Sequence, residues 1–549
     1  MTDLEIPVVK ERNFRYRFFE ALPGLISWSL LALPLVISFF NVTAAAVFVL
    51  VYLLINFTRA VAVAMRAIQG QHMMQQHEKL DWHTLLDDLQ LGKVSDKTTY
   101  RPEWHLHLLR NLNKRKKTIE PNEIIHAIII ATVKEAREVL APTFEAIINS
   151  DYDMKQVIIV LAYEGRAGKE TEDRANELIN EFGPKVRHAM AVKHPDGLPG
   201  EIIGKGGNIN CAGKELLKYV NQHDIDPKRV IVTTLDADTK PHKKYLAALS
   251  YEYALSPDPV RTSYQPVAVY TNNIWDAPAP MRVIATGNSF YNIVLSLRPH
   301  AIRNFSTHAQ PLAGLIDTQF WSARTIVEDG HQFWRSYFAF DGDYRVYPLY
   351  VPIYQDAVLT DKYSKTLKAQ FIQLRRWTWG ASDVAYVVNQ GFFKKNKVPR
   401  MDLFAKIWRL LEGHVTWATG PILVLGAGFI PALFHPQSFA ANELPLIVSR
   451  IQTIALAFGL VIIFIALKTL PPKPARYKNR RTLWMVLQWV YLPITTIVYN
   501  SFVALYSQTR LIFGKYIGFV VTEKAVVTKD KGVVMNKEER KVSGTEDQK

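Results

Sequence analysis

Two acidic patterns stand just beyond apolar segments of this 549-residue chain. Asp236-Ala237-Asp238 follows the run Arg229–Leu235, and Glu328-Asp329 follows Ala323–Val327. A D-x-D at the end of a buried strand sets two carboxylates at a sheet rim, close enough to share a hard divalent cation. Magnesium or manganese takes such oxygen ligands and completes its shell with substrate phosphates. There it offsets charge that builds on a departing phosphate group. A carboxylate such as Asp329 or Glu328, within reach of a hydroxyl, takes its proton as the hydroxyl attacks. Lys205-Gly206-Gly207-Asn208 opens a predicted helix, Asn208–Asn221. Glycines let the backbone approach a ligand, the first amides of a helix point at an anion, and Lys205 adds a point charge. Gln373-Leu374-Arg375-Arg376-Trp377 lies on a predicted helix, Thr366–Val388, whose Trp377 and Trp379 also suit a membrane interface. The single cysteine, Cys211, excludes an intrachain disulfide and a cysteine-type zinc site.

These residues need a scaffold. His126–Val133, Gln156–Ala162 and Arg229–Leu235 are apolar throughout, and helical periodicity fills Ala136–Ile148, Glu170–Phe182 and Asn208–Asn221. Continuous apolar strands alternating with helices predict a parallel sheet covered on both faces. Ligands of such sheets bind beyond the carboxyl ends of the strands. Lys134-Glu135, Tyr163-Glu164-Gly165 and the D-x-D stand at those ends.

The rest of the chain frames this domain with lipid-soluble segments. Pro23–Phe40 and Val42–Met65 are each long enough to cross a hydrocarbon core of about 30 Å, with Asn41 at the turn between them. Val415–Phe434 and Ile451–Leu470 form a second pair. Lys10, Arg12, Arg15 and Arg17 precede the first span, and Lys473, Arg476, Lys478, Arg480 and Arg481 follow the fourth. The turn at Asn41 carries no Lys or Arg. The bias toward basic residues on one side predicts that both ends of the four-span frame and the whole middle domain are cytoplasmic. Leu483–Phe513 is apolar but broken by Gln488, Pro493, Asn500, Gln508 and Arg510, which predicts an interfacial or re-entrant course. The divisions are a tail and hairpin over 1–65, a helical stem over 66–125, the α/β domain over 126–365, interfacial helices over 366–414, two spans over 415–470, a basic loop and interfacial segment over 471–513, a loop over 514–527, and a disordered tail over 528–549.

The order of these motifs resembles that of the processive family 2 glycosyltransferases, among them cellulose synthase catalytic subunits and hyaluronan synthases. The D-x-D, the Glu-Asp pair and Gln373-x-x-Arg376-Trp377 recur there in this order. Lys205-Gly-Gly-Asn-Ile-Asn210 is similar to the family's K-(A/G)-G-x-x-N segment, and Phe519-x-Val521-Thr522-x-Lys524 to the gating loop of cellulose synthases. The resemblance spans residues 120 to 525 and implies a GT-A fold, Rossmann-like with a mostly parallel sheet, inserted between transmembrane helices. It implies a nucleotide-sugar donor, usually a uridine diphosphate sugar, with Mg2+ or Mn2+. Glu164 would lie near the base or ribose, Lys205 and Asp236 would hold the nucleotide, and Asp238 with Asp236 the metal. Asp329 beside Glu328 would be the general base. Gln373, Arg376 and Trp377 would line the pyrophosphate and acceptor end, and Thr522 and Lys524 would close over the nucleotide. The sequence departs from the family at Phe305–Ile316, where a Gly-rich acceptor segment is usual, and in its four-span frame.

Two acceptors remain open: a growing β-linked polysaccharide, or a membrane lipid that receives one sugar. The net charge of +16 invites an anionic partner. Many of the basic residues stand at span ends, where topology accounts for them, so nucleic acid is not expected. Lipid bilayer, donor and acceptor are the expected partners, with a homo-oligomer or accessory export subunits supplying further helices. The expected place is a bacterial inner membrane with the catalytic domain in the cytoplasm.

Overall fold

The computed structural model describes residues 3–112 and 119–520, together with the backbone of Val526–Thr528 and Gly532–Val534. Its centre is an eight-stranded sheet of order β3-β2-β1-β4-β7-β6-β8-β5. The strands are β1 (Ile125–Thr132), β2 (Val157–Glu164), β3 (His188–His194), β4 (Val230–Asp236), β5 (Lys240–Pro241), β6 (Thr262–Val269), β7 (Ala309–Pro311) and β8 (Arg345–Tyr354). The block β3-β2-β1-β4 is parallel throughout. β1, β2 and β4 are Val- and Ile-rich and β2 is buried along its full length, as a sheet covered on both faces requires. The three predicted strands thus form, each within a residue or two of its expected ends.

The other half of the sheet is mixed. β7 runs antiparallel between β4 and β6, β6 and β8 are parallel, and β5 lies antiparallel on β8 at the edge. A register shift between Pro266 and Ala268 interrupts the β6–β8 pairing. Proline supplies no ladder N–H, so the irregularity falls where the donor is missing.

Among the described residues, five helical stretches are long and apolar enough to cross a membrane: Phe14–Phe40, Val42–Lys79, Arg400–Phe434, Phe439–Lys468 and Arg480–Ile512. In Phe439–Lys468 only 6% of the most apolar window is buried by protein, so its apolar surface needs another solvent. The second helix does not end at Met65 but continues to Lys79, where Trp82 and Leu85 of the next helix join the domain core.

The fifth stretch is broken. A π-turn at Thr496–Ser501 separates its first half from the helix Phe502–Ile512. At its start the Arg481 guanidinium donates to the Trp275 carbonyl (3.1 Å), and at its end Arg17 donates to the Leu511 carbonyl (2.8 Å). Between these points it runs alongside the helix Tyr363–Thr378, with Tyr499 on the Leu367 carbonyl and Ser507 on the Arg375 carbonyl. Its first end is thus tied to the α/β domain and its last end to the start of the first apolar helix. The polar residues that interrupt its pattern face protein: Gln488 accepts from Arg282, and Gln508 donates to the His414 carbonyl.

The N-terminal residues are threaded into the domain. Leu4 and Ile6 are buried among Trp334, Tyr337 and Tyr386. Arg335 and the Tyr386 hydroxyl both donate to the Leu4 carbonyl, at 3.0 and 2.9 Å.

Candidate functional site

The helix Lys205–Gln222 is set against the carboxyl ends of β1 and β2 by one side chain. The Asn208 amide donates to the carbonyls of Thr132 (3.3 Å) and Ala162 (3.0 Å). The helix begins at Lys205 itself, three residues before its expected start. Gly206 lies so close to the segment after Trp321 that an added Cβ would stand 2.2 Å from the Ser322 carbonyl oxygen and 3.2 Å from Glu328 Cβ. No side chain fits there, so glycine is what allows the helix N-terminus and the Glu328-Asp329 helix to meet.

Lys205 then reaches the rim of the sheet. Its Nζ donates to Asp236 Oδ1 at 2.6 Å and to the Ser306 carbonyl at 3.0 Å. Burial disfavours the ammonium, but the charges of Asp236, then Glu328, outweigh it, and its pKa rises. The loop Asp236-Ala237-Asp238 is pinned through its backbone. Thr143 donates to the Ala237 carbonyl (2.7 Å), and Asn272 bridges the carbonyls of Asp238 (3.2 Å) and Tyr354 (3.1 Å). Gln355 donates to Thr239 (3.2 Å) and reaches Asp236 Oδ2 at 3.5 Å. Asp238 is itself buried.

Glu328 and Asp329 open the helix Glu328–Ala339, Glu328 buried and Asp329 half-buried. Burial, and for Glu328 the neighbouring Asp329, raises both pKa values, against the pull of Lys205 and Arg376. The Gly330 amide donates to Asp329 Oδ1 at 2.7 Å and fixes that carboxylate. Tyr270 lies in the field of Asp236, Asp238, Asp329 and Arg376 together. Its buried hydroxyl has its pKa raised, by burial first and then by these carboxylates. Lys205, the D-x-D, the Glu-Asp pair and Arg376 therefore lie within one another's electrostatic reach.

The helix carrying Gln373, Arg376 and Trp377 ends at Thr378 rather than Val388, because a 3-10 turn at Trp379–Ser382 intervenes. Trp377 is partly buried and packs on Tyr270, with centroids 6.2 Å apart. Trp379 is buried against Tyr516. The Arg376 guanidinium stands 4.8 Å from the centre of the Phe519 ring, and the same ring lies 3.8 Å from where a Cβ of Gly204 would be. The segment that carries Phe519 thus crosses the face of the cleft. Thr522 and Lys524 lie outside the described residues. Gln373 accepts from Gln370 (3.2 Å), and no described hydrogen bond ties it to Lys205 or Asp236.

Glu164 stands at the end of β2, apart from the Lys205 cluster. It is buried and accepts from His194 Nδ1 (3.3 Å) and Arg166 Nε (3.4 Å), while His194 Nε2 meets Glu201 at 2.9 Å. With carboxylates at both nitrogens the imidazole favours its doubly protonated form, and its pKa is raised, first by the bond to Glu164. His194 also touches Gly207, where an added Cβ would lie 3.0 Å from the ring.

No family model matches the sequence. No curated protein matches it either. Among solved structures, the chain is similar to a mannosyltransferase, PcManGT from Pyrobaculum calidifontis, in complex with GDP-Man and Mn2+. The TM-score is 0.39 and the identity 16%, over 80% of this chain and 98% of that one. It is also similar to S. aureus TarS 1-349 in complex with UDP-GlcNAc, at a TM-score of 0.36 and 10% identity over 76% of this chain and 98% of that one. A third is GalNAc-T7 with UDP, GalNAc and Mn2+, at a TM-score of 0.30 and 10% identity over 53% of this chain and 57% of that one.

Proposed function

We propose that the chain is a membrane glycosyltransferase of the GT-A type, transferring a sugar from a nucleotide-diphosphate donor with inversion to an acceptor at the cytoplasmic membrane face. The observation that carries this reading is the Lys205–Asp236 pair at the end of β4, with Glu328, Asp329 and Arg376 in the same field. The donor phosphates are the natural counter-ions for Lys205 and Arg376. The acceptor hydroxyl attacks C1 of the sugar, the C1–phosphate oxygen bond breaks, and Asp329 takes the hydroxyl proton. Burial raises the proton affinity of Asp329, which makes it a stronger base. Trp377 and Tyr270 offer an apolar wall to the acceptor, and the Phe519 segment excludes water from the cleft.

Among the described residues, no group of three His, Cys, Asp or Glu side chains forms a complete metal cage. Asp236 and Asp238 supply two hard carboxylates at the rim, which fits a Mg2+ or Mn2+ completed by donor phosphates. Such a cation would offset the charge of the leaving diphosphate.

Polymer synthesis and single transfer to a membrane lipid are the two forms of this reaction. The Gln373-x-x-Arg376-Trp377 helix and the Phe519 segment favour polymerisation. The test uses the full chain in lipid nanodiscs with a panel of radiolabelled nucleotide sugars and Mg2+ or Mn2+. High-molecular-weight label from one donor identifies a polymer synthase. Label confined to the lipid extract, one sugar per acceptor, identifies the lipid transferase. No turnover of any donor overturns the proposal.

A further inference from the structure

A cavity of about 760 Å³ opens between the helix Phe14–Phe40, the stretch Arg400–Phe434 and the helix Phe502–Ile512. That volume lies within the range of roughly 300–1,000 Å³ that holds small ligands. Its wall along the first two helices is apolar, formed by residues such as Leu31, Leu35 and Ile430. Arg510 and Lys515 line one end. That end faces the α/β domain, because Arg17, near the start of the first helix, binds the carbonyl of Leu511, next to Arg510. Charge therefore sits at the domain side and apolar surface away from it.

Among the described residues the two cations have no anionic partner. Arg510 donates to the carbonyls of Lys515 (2.9 Å) and Tyr516 (3.1 Å) and to the Tyr506 hydroxyl (3.2 Å). Among the described residues neither Arg510 nor Lys515 forms an ion pair. On the same helices Arg17 pairs with Glu20 and Lys406 with Asp402, whereas Arg400 and Arg409, like Arg510, bind backbone carbonyls. The cavity also has reserved space. Gly426 lines it, and a Cβ added there would meet nothing within 4 Å.

We propose that this cavity is a binding site for one anionic phospholipid of the bilayer, with an acyl chain along Leu31 and Ile430 and the phosphate at Arg510 and Lys515. A neutral lipid would leave the two charges uncompensated, and a soluble anion would leave the apolar wall exposed. The site connects with the cleft through the chain itself. Arg510 holds the carbonyls of Lys515 and Tyr516, and three residues beyond Tyr516 the Phe519 ring stands over Arg376. The inference rests on the membrane reading of the helices and not on the transferase reading.

The test is native mass spectrometry of the full chain released from detergent with dioleoyl phosphatidylglycerol or dioleoyl phosphatidylcholine. The wild type retains one phosphatidylglycerol, roughly 30-fold more tightly than phosphatidylcholine, since each basic residue near an anionic headgroup contributes about 5-fold. Gly426→Phe, at a position where an added Cβ meets nothing within 4 Å, places a ring in the acyl-chain path and abolishes retention. Lys515→Ala, an exposed position, lowers the preference about 5-fold, and Arg510→Ala with Lys515→Ala removes it. Equal retention of both lipids, or retention unchanged in Gly426→Phe, overturns the proposal. Retention is read without any sugar donor, so its failure is distinct from failure of the transferase assay.

Discussion

Gly206→Ala adds one carbon atom at the point where the helix N-terminus, the D-x-D rim and the Glu-Asp pair meet. The new Cβ would stand 2.2 Å from the Ser322 carbonyl oxygen and 3.3 Å from its carbon. Real contacts of this kind begin above 3.0 Å, so something must move by nearly an ångström. The helix cannot retreat, because Asn208 holds it to the carbonyl ends of β1 and β2. The segment Ser322–Val327 must give instead, and Glu328 and Asp329 follow it. Overpacking of this kind costs about 1–3 kcal/mol, and contact with a backbone atom puts it at the upper end. Replacing Gly by Ala inside a helix returns about 1 kcal/mol, leaving a net loss of roughly 2 kcal/mol. A shift of about 1 Å at reacting groups costs on the order of 100-fold in rate. Gly207→Ala is the control. Its Cβ meets only side-chain atoms, Glu201 Oε2 at 2.8 Å and the His194 ring at 3.0 Å, and the partly exposed Glu201 carboxylate is the far end of a flexible side chain that can swing away. Thermal unfolding in detergent and donor turnover should both separate the two variants. If Gly206→Ala equals the wild type in both, the close approach of these two helices is not what positions the acidic pair.

Asp329→Asn should bind donor normally by calorimetry yet transfer the sugar about 100- to 10,000-fold more slowly, because only the proton acceptor is lost. The acid limb of kcat/KM should lie above the ordinary Asp value of 3.8, since burial raises the pKa of Asp329 and activity falls as pH drops through that raised value. Lys205→Met should move this limb further upward, because the ammonium opposes the rise. His194 has a raised pKa, so its ion pairs stabilise the fold fully below the unfolded value and lose effect as pH rises through the folded one. The stability gap between wild type and His194→Gln, read by thermal melts across pH, should therefore shrink as pH increases. Trp377→Ala should leave donor hydrolysis near normal and reduce transfer to acceptor. Retained product yield would make the residue an interface anchor only.

Three of the four parallel strands, β1, β2 and β4, were legible because they are continuous apolar runs rich in Val and Ile, a pattern that few other structures produce. The mixed half was not. β6 contains Pro266, and β8 contains Pro348 and Pro352, and a proline removes the ladder donor that a strand pattern assumes. The same blind spot hid two members of the site. Tyr270 follows β6 and Gln355 follows β8, so both obey the strand-end rule that found Asp236 and Glu164. Ser306 contributes through its backbone carbonyl, which no side-chain pattern reveals. His194 closes β3, which is partly exposed and has no continuous apolar run. The fifth apolar stretch was readable as interrupted, but the partners of Gln488 and Gln508 lie far off in sequence, at Arg282 and His414.

The buried course of residues 3–6 imposes an order of events on biogenesis. Leu4 and the side chain that binds its carbonyl, Arg335, are 331 residues apart. Joining points that distant in an unfolded chain costs about 5 kcal/mol in loop entropy. The first helix leaves the ribosome long before Arg335 or Tyr386 has been made. Its leading residues must then wait without these partners until the domain has formed. The contact that secures them is one of the last to close, and its closure reports that the domain between them is complete.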